Sequence, residues 1–577
     1  EQLQAELATM HPEKGTSYEA MIKDWDPVVS DFGLGRTIPW FRRIWLMNWT
    51  CLAAVSFLYA IACVNVGSLM LVRAVGRRRE IGVRLALGGK RWQVMRPFLV
   101  EGLVLSIAAV GLGVIVARWF LPALIALAPG AGDSWSGDVS LSREALGGAI
   151  ALGLLTGLGT AFVPAWRVAR LNLNETVKDG GNAVGESRGL RGLRGSLVIV
   201  EAALAVTLLV GTGLMVRTFQ KLQHMNPGYE TSRRYQLQLV LPRQEQMSVQ
   251  AHTEKVVQIM ERVATVPGVT AAATAQFVAP RANYPTRKLK VRGQAGTENA
   301  GEIDVVLNPV SAEYLELMGV PMRAGRSLAG LHRGDAPVAV VNQAAVRKYF
   351  PDRNPIGQIF ELSPQETFEI VGVAGDVRSA RAEPAPACYF PYWQSNSYLN
   401  SIVVRTAGEP GKGFQVELRR AVFDVDPKFS VTSITSLEDS LRQETWAERQ
   451  TLVLLEVLSM LALLLAVVGL FATLAYSVMQ RRGEFGIRFA LGASVTSVYR
   501  LVVARGLALV AIGVALGLGL AWSLARFIES MLFETSTHDP LVFGLVGCAM
   551  LLVALPACWL PAMRATKVDL TKLMRSE

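Results

Sequence analysis

The chain carries one motif twice, as RRREIGVRLALGG at Arg77–Gly89 and as RRGEFGIRFALGA at Arg481–Ala493. A second match follows each copy, with PAWRVARLNL starting at Pro164 and PAMRATKVDL at Pro561. Self-similarity at a fixed spacing is typical of duplicated structural units. We therefore interpret the chain as two related repeats.

Each motif lies between stretches that are long and apolar enough to cross a bilayer, which takes roughly 20 helical residues. Buried helices of a large soluble protein are the alternative, but several of these stretches contain no charged residue at all. Hydrophobic residues make up 51% of the 577-residue chain and charged residues 18%, which favours membrane helices joined to globular material. Seven spans are predicted: Trp49–Val72, Phe98–Ala117, Ala145–Trp166, Ser196–Val216, Leu452–Val478, Leu501–Ala525 and Leu541–Ala562.

The loops alternate in charge. Those after the first, third, fifth and seventh spans are rich in arginine and lysine, whereas those after the second and sixth carry acidic residues. Basic loops face the cytoplasm, so the long stretch between the fourth and fifth spans lies outside it. That stretch is nearly neutral. The net charge of +11 therefore reflects membrane topology, and nucleic acid is excluded as a partner.

Spans and repeats divide the chain into five segments. If both units are built alike, the opening span and most of the outer domain of the first unit lie outside this sequence, and we expect the chain to be incomplete at its N-terminus. The segments are 1–47, the tail of a first extracytoplasmic domain; 48–180, the first transmembrane repeat; 181–219, a cytoplasmic linker and the helix that opens the second unit; 220–448, an extracytoplasmic domain; and 449–577, the second transmembrane repeat.

Residues 220–448 show the alternating strand and helix patterns of a mixed α/β domain. Helix Leu437–Glu448 is expected to run without a break into the fifth span as a rigid lever. Two β-α-β units are predicted to flank an insertion: Tyr235–Leu241, Ser248–Thr265 and Val269–Phe277 on one side, and Ser401–Thr406, Lys412–Phe423 and Phe429–Ile434 on the other. Val338–Asn342, Ala344–Phe350 and Phe368–Ala374 lie within the insertion.

The sequence contains few patterns of catalysis or metal binding. Its histidines lack paired spacing, no serine stands in a G-x-S-x-G elbow, and among the five cysteines Cys388 alone lies in the outer segment. Asp376 follows a predicted strand, where an acid that caps a turn is commoner than a catalytic one. Gly411-Lys412 and Gly89-Lys90 fail the P-loop pattern. We predict no catalytic residue, no cofactor, no metal and no ATPase activity in this chain.

The repeated motif has the pattern of a short amphipathic helix. Glu80 and Arg84, like Glu484 and Arg488, are spaced to form an ion pair on one helical face. An interfacial helix among lipid head groups is one interpretation, and a docking helix for a cytoplasmic protein is the other. Two copies with the same charged pair and the same Ala-Leu-Gly ending favour docking.

Charges also occur inside the spans, where an unpaired charge near the centre costs at least about 2.5 kcal/mol. Glu101 and Arg505 stand at equivalent positions of the two repeats. We predict that they face each other across the axis that relates the repeats, and snorkelling to the membrane surface is the alternative.

Several stretches carry a resemblance to a known family. ACVNVGSLMLVRAVGRRREIGVRLALGGKRWQV, MQRRGEFGIRFALGASVTSV and PAWRVARLNLNETVK are similar to the FtsX/MacB permease family. GSLVIVEAALAVTLLVGTGLMVRTF, VSAEYLELMGVPMRAGRSL, NQAAVRKYFPDRNPIGQIF and VGVAGDVRS look like the MacB-type periplasmic core domain. The doubled arrangement resembles the acidobacterial duplicated permeases of that family, although Gly483 replaces the third arginine of the first motif.

The resemblance implies the permease of a type VII ABC transporter in the bacterial inner membrane, in which ATP hydrolysis by a separate cytoplasmic ATPase moves an outer α/β domain. Export or mechanotransmission is the implied function, and an FtsX-like scaffold that regulates an extracytoplasmic hydrolase is the alternative. Implied partners are the ATPase, the lipid bilayer, and a periplasmic adaptor or outer-membrane factor. The residues implied to couple to the ATPase are Glu80, Arg84, Leu87, Gly88, Glu484, Arg488, Leu491 and Gly492.

Overall fold

The computed structural model describes residues 39–77, 90–126, 142–169, 188–241, 247–279, 286–291, 302–351, 353–363, 366–379, 383–394, 398–480 and 494–566, together with residues 80, 81, 83, 84 and 87. These residues fall into two compact units. The membrane unit lies within 1–127, 135–221 and 449–577, and the outer unit within 222–448.

The helices and strands follow one another in this order along the chain: α1 (Pro39–Gly76), α2 (Arg91–Ala126), α3 (Arg143–Ala169), α4 (Arg188–Gln223), β1 (Arg234–Val240), α5 (Val249–Ala264), β2 (Val269–Ala275), β3 (Thr286–Val291), β4 (Glu302–Val310), α6 (Tyr314–Leu317), β5 (Met322–Gly325), β6 (Val338–Asn342), α7 (Gln343–Tyr349), β7 (Ile359–Ser363), β8 (Glu366–Ala374), β9 (Ala387–Pro391), β10 (Ser401–Thr406), α8 (Phe414–Val425), β11 (Ser430–Ser436), α9 (Leu437–Glu444), α10 (Trp446–Gln480), α11 (Val495–Ala525) and α12 (Pro540–Thr566). Short 3₁₀ turns stand at Tyr392–Gln394 and Glu529–Met531.

The membrane unit contains the long helices α1–α4 and α10–α12. Within the described residues these seven are long and apolar enough to cross a membrane, which confirms the seven predicted spans. In the first repeat Gly102 on α2 packs against Ala161 on α3, and in the second Gly506 on α11 packs against Cys558 on α12. Alignment of the repeated motifs places these two contacts at equivalent positions. The two repeats therefore pack their second and third helices in the same way.

The outer unit is built on one mixed sheet, whose first layer is the strand order β11-β1-β10-β2. All three pairings in this layer are antiparallel. α5 connects β1 to β2, α8 connects β10 to β11, and both helices bury apolar residues such as Val256, Ile259 and Leu418 against the layer. The two predicted β-α-β units and the insertion between them are confirmed.

The insertion closes on itself. Strands pair in the sequence β4-β3-β7-β8-β6-β9, and β9 pairs in turn with β4 in parallel register from Val306↔Ala387 to Val310↔Pro391. Six strands thus form a ring. Its interior is filled by Phe360, Ile370 and Phe390. The buried thiol of Cys388 lies in the same core, and burial raises its pKa to about 12.

Helix ends in the outer unit follow local hydrogen bonding. α5 begins after Ser248, whose side chain accepts from the Ala251 amide, and ends at Thr265. The predicted unbroken helix from Leu437 into the fifth span is wrong, because α9 ends at Glu444 and α10 begins at Trp446. The Thr445 hydroxyl donates to the Arg442 carbonyl at 3.1 Å, a local bond that competes with helix continuation.

Candidate functional site: the first basic hairpin

The connection from α1 to α2 continues the helical hydrogen bonding beyond the end of α1. The Arg77 amide donates to the Arg73 carbonyl at 3.2 Å, and the Ile81 amide donates to the Arg77 carbonyl at 3.0 Å. Farther along, the Leu87 amide donates to the Val83 carbonyl at 3.0 Å. We call the described residues from Arg77 to Leu87 the coupling segment. Its helical bonding agrees with the amphipathic helix predicted from the motif.

One side of the coupling segment is fixed to the membrane helices. Ile81 is 5% exposed and packs in a cluster with apolar residues of all three helices of the first repeat. The other members are Ala74 of α1, Val94, Met95 and Phe98 of α2, and Ala165 of α3. Burying a large aliphatic side chain contributes about 1.5–3 kcal/mol. Ile81 therefore anchors the segment to the three helices of the first repeat.

The opposite side is exposed and partly apolar. Leu87 is 83% exposed, Val83 is 55% exposed, and Trp92 at the start of α2 is 62% exposed. Trp92 was not among the predicted coupling residues, although an aromatic residue directly after the sequence Gly-Gly-Lys-Arg is a signal that the sequence offers. Apolar side chains presented among arginines suit either a protein interface or the lipid head-group region.

The predicted ion pair is present in the first copy. Arg84 Nη2 lies 2.7 Å from Glu80 Oε1, and both side chains are about half exposed. Exposed pairs of this spacing contribute only about 0.3–0.5 kcal/mol. The pair therefore orders two charges on the surface and adds little to the stability of the fold. Gly88, Glu484, Arg488, Leu491 and Gly492 lie outside the described residues.

Basic side chains next to the coupling segment contact α2. The Arg73 guanidinium pairs with the Glu101 carboxylate, and the Arg77 guanidinium stands 5.9 Å from the ring centre of Phe98. Glu101 thus finds a cationic partner within its own repeat. The pairing of Glu101 with Arg505 stays a prediction, and Arg505 has contacts of its own.

The acid that the sequence singled out in the outer unit has a structural environment. Asp376 Oδ1 accepts from the Ala344 amide at 2.7 Å, and Asp376 Oδ2 accepts from Arg347 Nη2 at 2.6 Å. Oδ1 thus binds the first turn of α7 and Oδ2 binds an arginine of its last turn, while Asn342 caps the helix start. Asp376 therefore fastens this helix and has a structural role. A cavity of about 50 Å³ nearby is far smaller than the roughly 300–1,000 Å³ of ligand pockets. Within the described residues no cluster of His, Cys, Asp and Glu suits a metal ion.

Family models match most of the chain. The FtsX-like permease C-terminal model matches residues 52–173 and again 456–570, and the MacB-like periplasmic core domain model matches 197–417. The coupling segment lies within the first of these matches, and the second copy of its motif lies within the other FtsX-like match.

Individual relatives are distant. The macrolide export ATP-binding/permease protein MacB of Mannheimia succiniciproducens is 22% identical over 292 residues, which cover 47% of this chain and 43% of that protein. The pyoverdine export ATP-binding/permease protein PvdT of Pseudomonas fluorescens is 34% identical over 125 residues, covering 21% and 17%. The chain thus spans less than half of the length of these relatives.

Among solved structures, the periplasmic region of MacB from Actinobacillus actinomycetemcomitans matches 39% of this chain and 97% of its own. The identity is 14% and the TM-score 0.28.

Proposed function

The chain belongs to the FtsX/MacB family of permeases, and from this membership we propose that it is the membrane subunit of an ABC-type exporter driven by a separate cytoplasmic ATPase. In this proposal the coupling segment and its second copy receive the movement of the ATPase, and the outer unit performs work outside the cytoplasm. A multi-pass chain with a large extracytoplasmic domain suits such a transfer of movement across the membrane.

One observation carries the proposal: the coupling segment is buried on one side and exposed on the other. Ile81 joins three membrane helices, while Leu87 stands 83% exposed only a few residues away. A protein that bound Leu87 would therefore push on a segment that is packed directly against the first repeat. Glu80 and Arg84 would set the orientation of the partner through their charges.

Polar side chains within the spans support transmission by packed helices. Thr212 of α4 lies 2.6 Å from Ser459 of α10, with the two oxygens hydrogen-bonded, and Thr207 donates to the Gly517 carbonyl at 3.2 Å. These groups bind neighbouring helices and so are not available to line a polar passage. We propose that the substrate is handled on the outer side and does not pass between the spans.

The remaining partners follow from the same proposal. The complex would lie in the bacterial inner membrane, with the ATPase on the side of the basic loops. A periplasmic adaptor or an outer-membrane factor would act beyond the outer unit. Genes for such proteins next to that of this chain would favour export over a scaffold that regulates a hydrolase.

The experiment uses three variants of the chain co-expressed with the candidate ATPase. Leu87→Asp places a charge in the proposed interface and should abolish co-purification. Leu87→Trp is favourable in a lipid interface but too large for a pocket shaped for leucine, and it should reduce co-purification at least tenfold. Val416→Asp introduces the same charge at another exposed apolar residue, in the outer unit, and should have no effect on co-purification.

Two results would contradict the docking role. Normal co-purification of Leu87→Trp together with loss in Leu87→Asp would identify the segment as a lipid anchor. Normal co-purification of the double variant Arg84→Glu, Arg488→Glu would show that these charges are not part of the interface. Membrane insertion, measured by extraction with detergent after alkaline washing, should stay unchanged in every variant.

A further inference from the structure

One carboxyl group of the membrane unit has no role in the proposed transmission. Glu201 lies on α4, roughly 10 Å along the helix axis from Arg194, at 1.5 Å per residue. Its side chain is 3% exposed, in a helix that crosses the membrane. Ionisable residues in such positions are rare and mark functional sites. Glu201 is therefore a group whose state of charge has to be explained.

Glu201 lies against a glycine of a neighbouring helix. Gly469 on α10 has no side chain, and a Cβ placed there would touch both carboxyl oxygens of Glu201 and the Oδ1 atom of Asn65 on α1. The oxygens of two side chains thus converge on the space beside one glycine. Three membrane helices meet at this point.

The amide of Asn65 has a defined orientation. Its Nδ2 atom donates to the Leu465 carbonyl of α10 at 3.0 Å. Oδ1, which accepts hydrogen bonds and donates none, is therefore the atom turned towards Glu201. An ionised carboxylate also only accepts. Two acceptors side by side in a low-dielectric interior repel each other unless a proton lies between them.

In the part of the chain that the structure describes, no cation pairs with the carboxyl group. Within the described residues Glu201 has no ion-pair partner, and its Oε1 atom is buried without a hydrogen bond. The groups placed beside it are Asn65 from α1 and Gly469 from α10. Arg194, on its own helix, is directed to the ring of Tyr476 at 4.2 Å. The geometry favours the neutral acid, whose hydroxyl can donate to Asn65 Oδ1.

We propose that Glu201 is a proton-binding site of the membrane unit, in which the protonated carboxyl group donates a hydrogen bond to Asn65 Oδ1. This hydrogen bond links α4 to α1 at the point where both helices contact α10. Alignment of the repeats places Asn65 opposite Gly469, so the contact lies where the two repeats meet. The polar side chain of one repeat fills the space that the glycine of the other leaves open.

Infrared spectroscopy of the purified full chain in lipid tests this directly. The wild type should show the carbonyl stretch of a protonated carboxylic acid at neutral pH. Glu201→Gln should abolish that band and still fold, since its amide supplies the same donor to Asn65. Asn65→Ala should shift the band to higher frequency because the hydrogen bond is lost. Glu456→Gln, an exposed glutamate in the neighbouring span α10, should leave the band unchanged.

Any of three results would overturn the proposal. A wild-type spectrum without a band that is sensitive to Glu201→Gln would mean that the group is ionised. A band that does not move in Asn65→Ala would exclude Asn65 as the acceptor. A Glu201→Gln chain that fails to fold would mean that the site requires a carboxylate, since the amide replaces only the neutral acid.

Discussion

The first and second transmembrane repeats share a helix pair and differ in what covers it. On α11 of the second repeat, Gly513 and Gly517 are buried against α4, touching Ile199, Ala202 and Ala203. The equivalent residues on α2 of the first repeat are Ala109 and Gly113, and both are exposed. No atom of the described residues lies within 4 Å of where a Cβ on Gly113 would stand.

The difference shows that a membrane helix requires a small residue only where a neighbouring helix packs closely against it. Close approach of two backbones requires glycine or alanine at the crossing, and α4 provides such a crossing for α11. At Gly113 no described helix packs against this face of α2, so a larger side chain can be accommodated there. Sequence similarity between the repeats therefore does not imply equal tolerance to substitution.

The largest expected effect is at this covered face. Gly517→Leu would collide with the Ala203 backbone and Val206 of α4, where neither can rotate away. We expect a loss of about 3 kcal/mol or more in the free energy of unfolding, at the upper end of overpacking. Denaturant titration of the purified chain in mixed micelles measures it. Gly113→Leu is the matched control and should change stability by less than about 0.5 kcal/mol; an equal loss there would mean that α2 is covered as well.

A smaller effect is expected where the two repeats pack alike. A Cβ at Gly102 would stand 2.6 Å from the Ala161 Cβ and 2.8 Å from the Gly157 carbonyl oxygen, both fixed to the backbone of α3. At Gly506 it would meet the ends of flexible side chains, Cys558 Sγ at 2.7 Å and Leu474 Cδ1 at 2.8 Å. Gly102→Ala should therefore cost about 1–3 kcal/mol, and Gly506→Ala less than about 1 kcal/mol. The reverse order of the two melting temperatures would refute this account.

The smallest effect concerns the start of the third helix in each repeat. Ser142 accepts from the Ala145 amide at 3.1 Å, whereas Asp539, at the equivalent position, accepts from the Leu541 amide at 3.0 Å and pairs with Arg217 of α4 at 2.5 Å. Asp539→Ser keeps a cap but removes the ion pair, for an expected loss of about 1 kcal/mol. Ser142→Asp should be neutral in the same thermal assay. Equal changes in stability for the two variants would show that the ion pair with Arg217 contributes nothing.

The sequence predicted those elements whose signals are local. Apolar length alone gave the seven spans, and Ser248 with Thr265 bounded α5 because a serine cap and a closing turn act within a few residues. The break at Thr445 was missed because a threonine hydroxyl within a helical pattern is a weak signal. Strands such as β3 and β9 were missed because they are short and are stabilised by pairing with strands that are distant in the sequence.

The site was partly predictable for the same reason. Glu80 and Arg84 are four residues apart, so their pairing follows from the helix period. The Arg73–Glu101 pair and the meeting of Asn65, Glu201 and Gly469 join separate helices, and no spacing along the chain encodes them. The prediction that Glu101 faces Arg505 rests on their equivalent positions and stays untested, whereas the contact of Glu101 with Arg73, in the last turn of α1, has no signal along the sequence.

The ring of six strands has a consequence for the order in which the chain is assembled during synthesis. β1 emerges early, but both of its partners, β10 and β11, follow the whole insertion. β3, β4 and β6–β9 find all their ring partners among themselves, so the insertion can close while β1 still waits. Until β10 arrives, β1 exposes two unpaired edges, and this strand is where a stalled ribosome would leave the outer unit most open to mispairing.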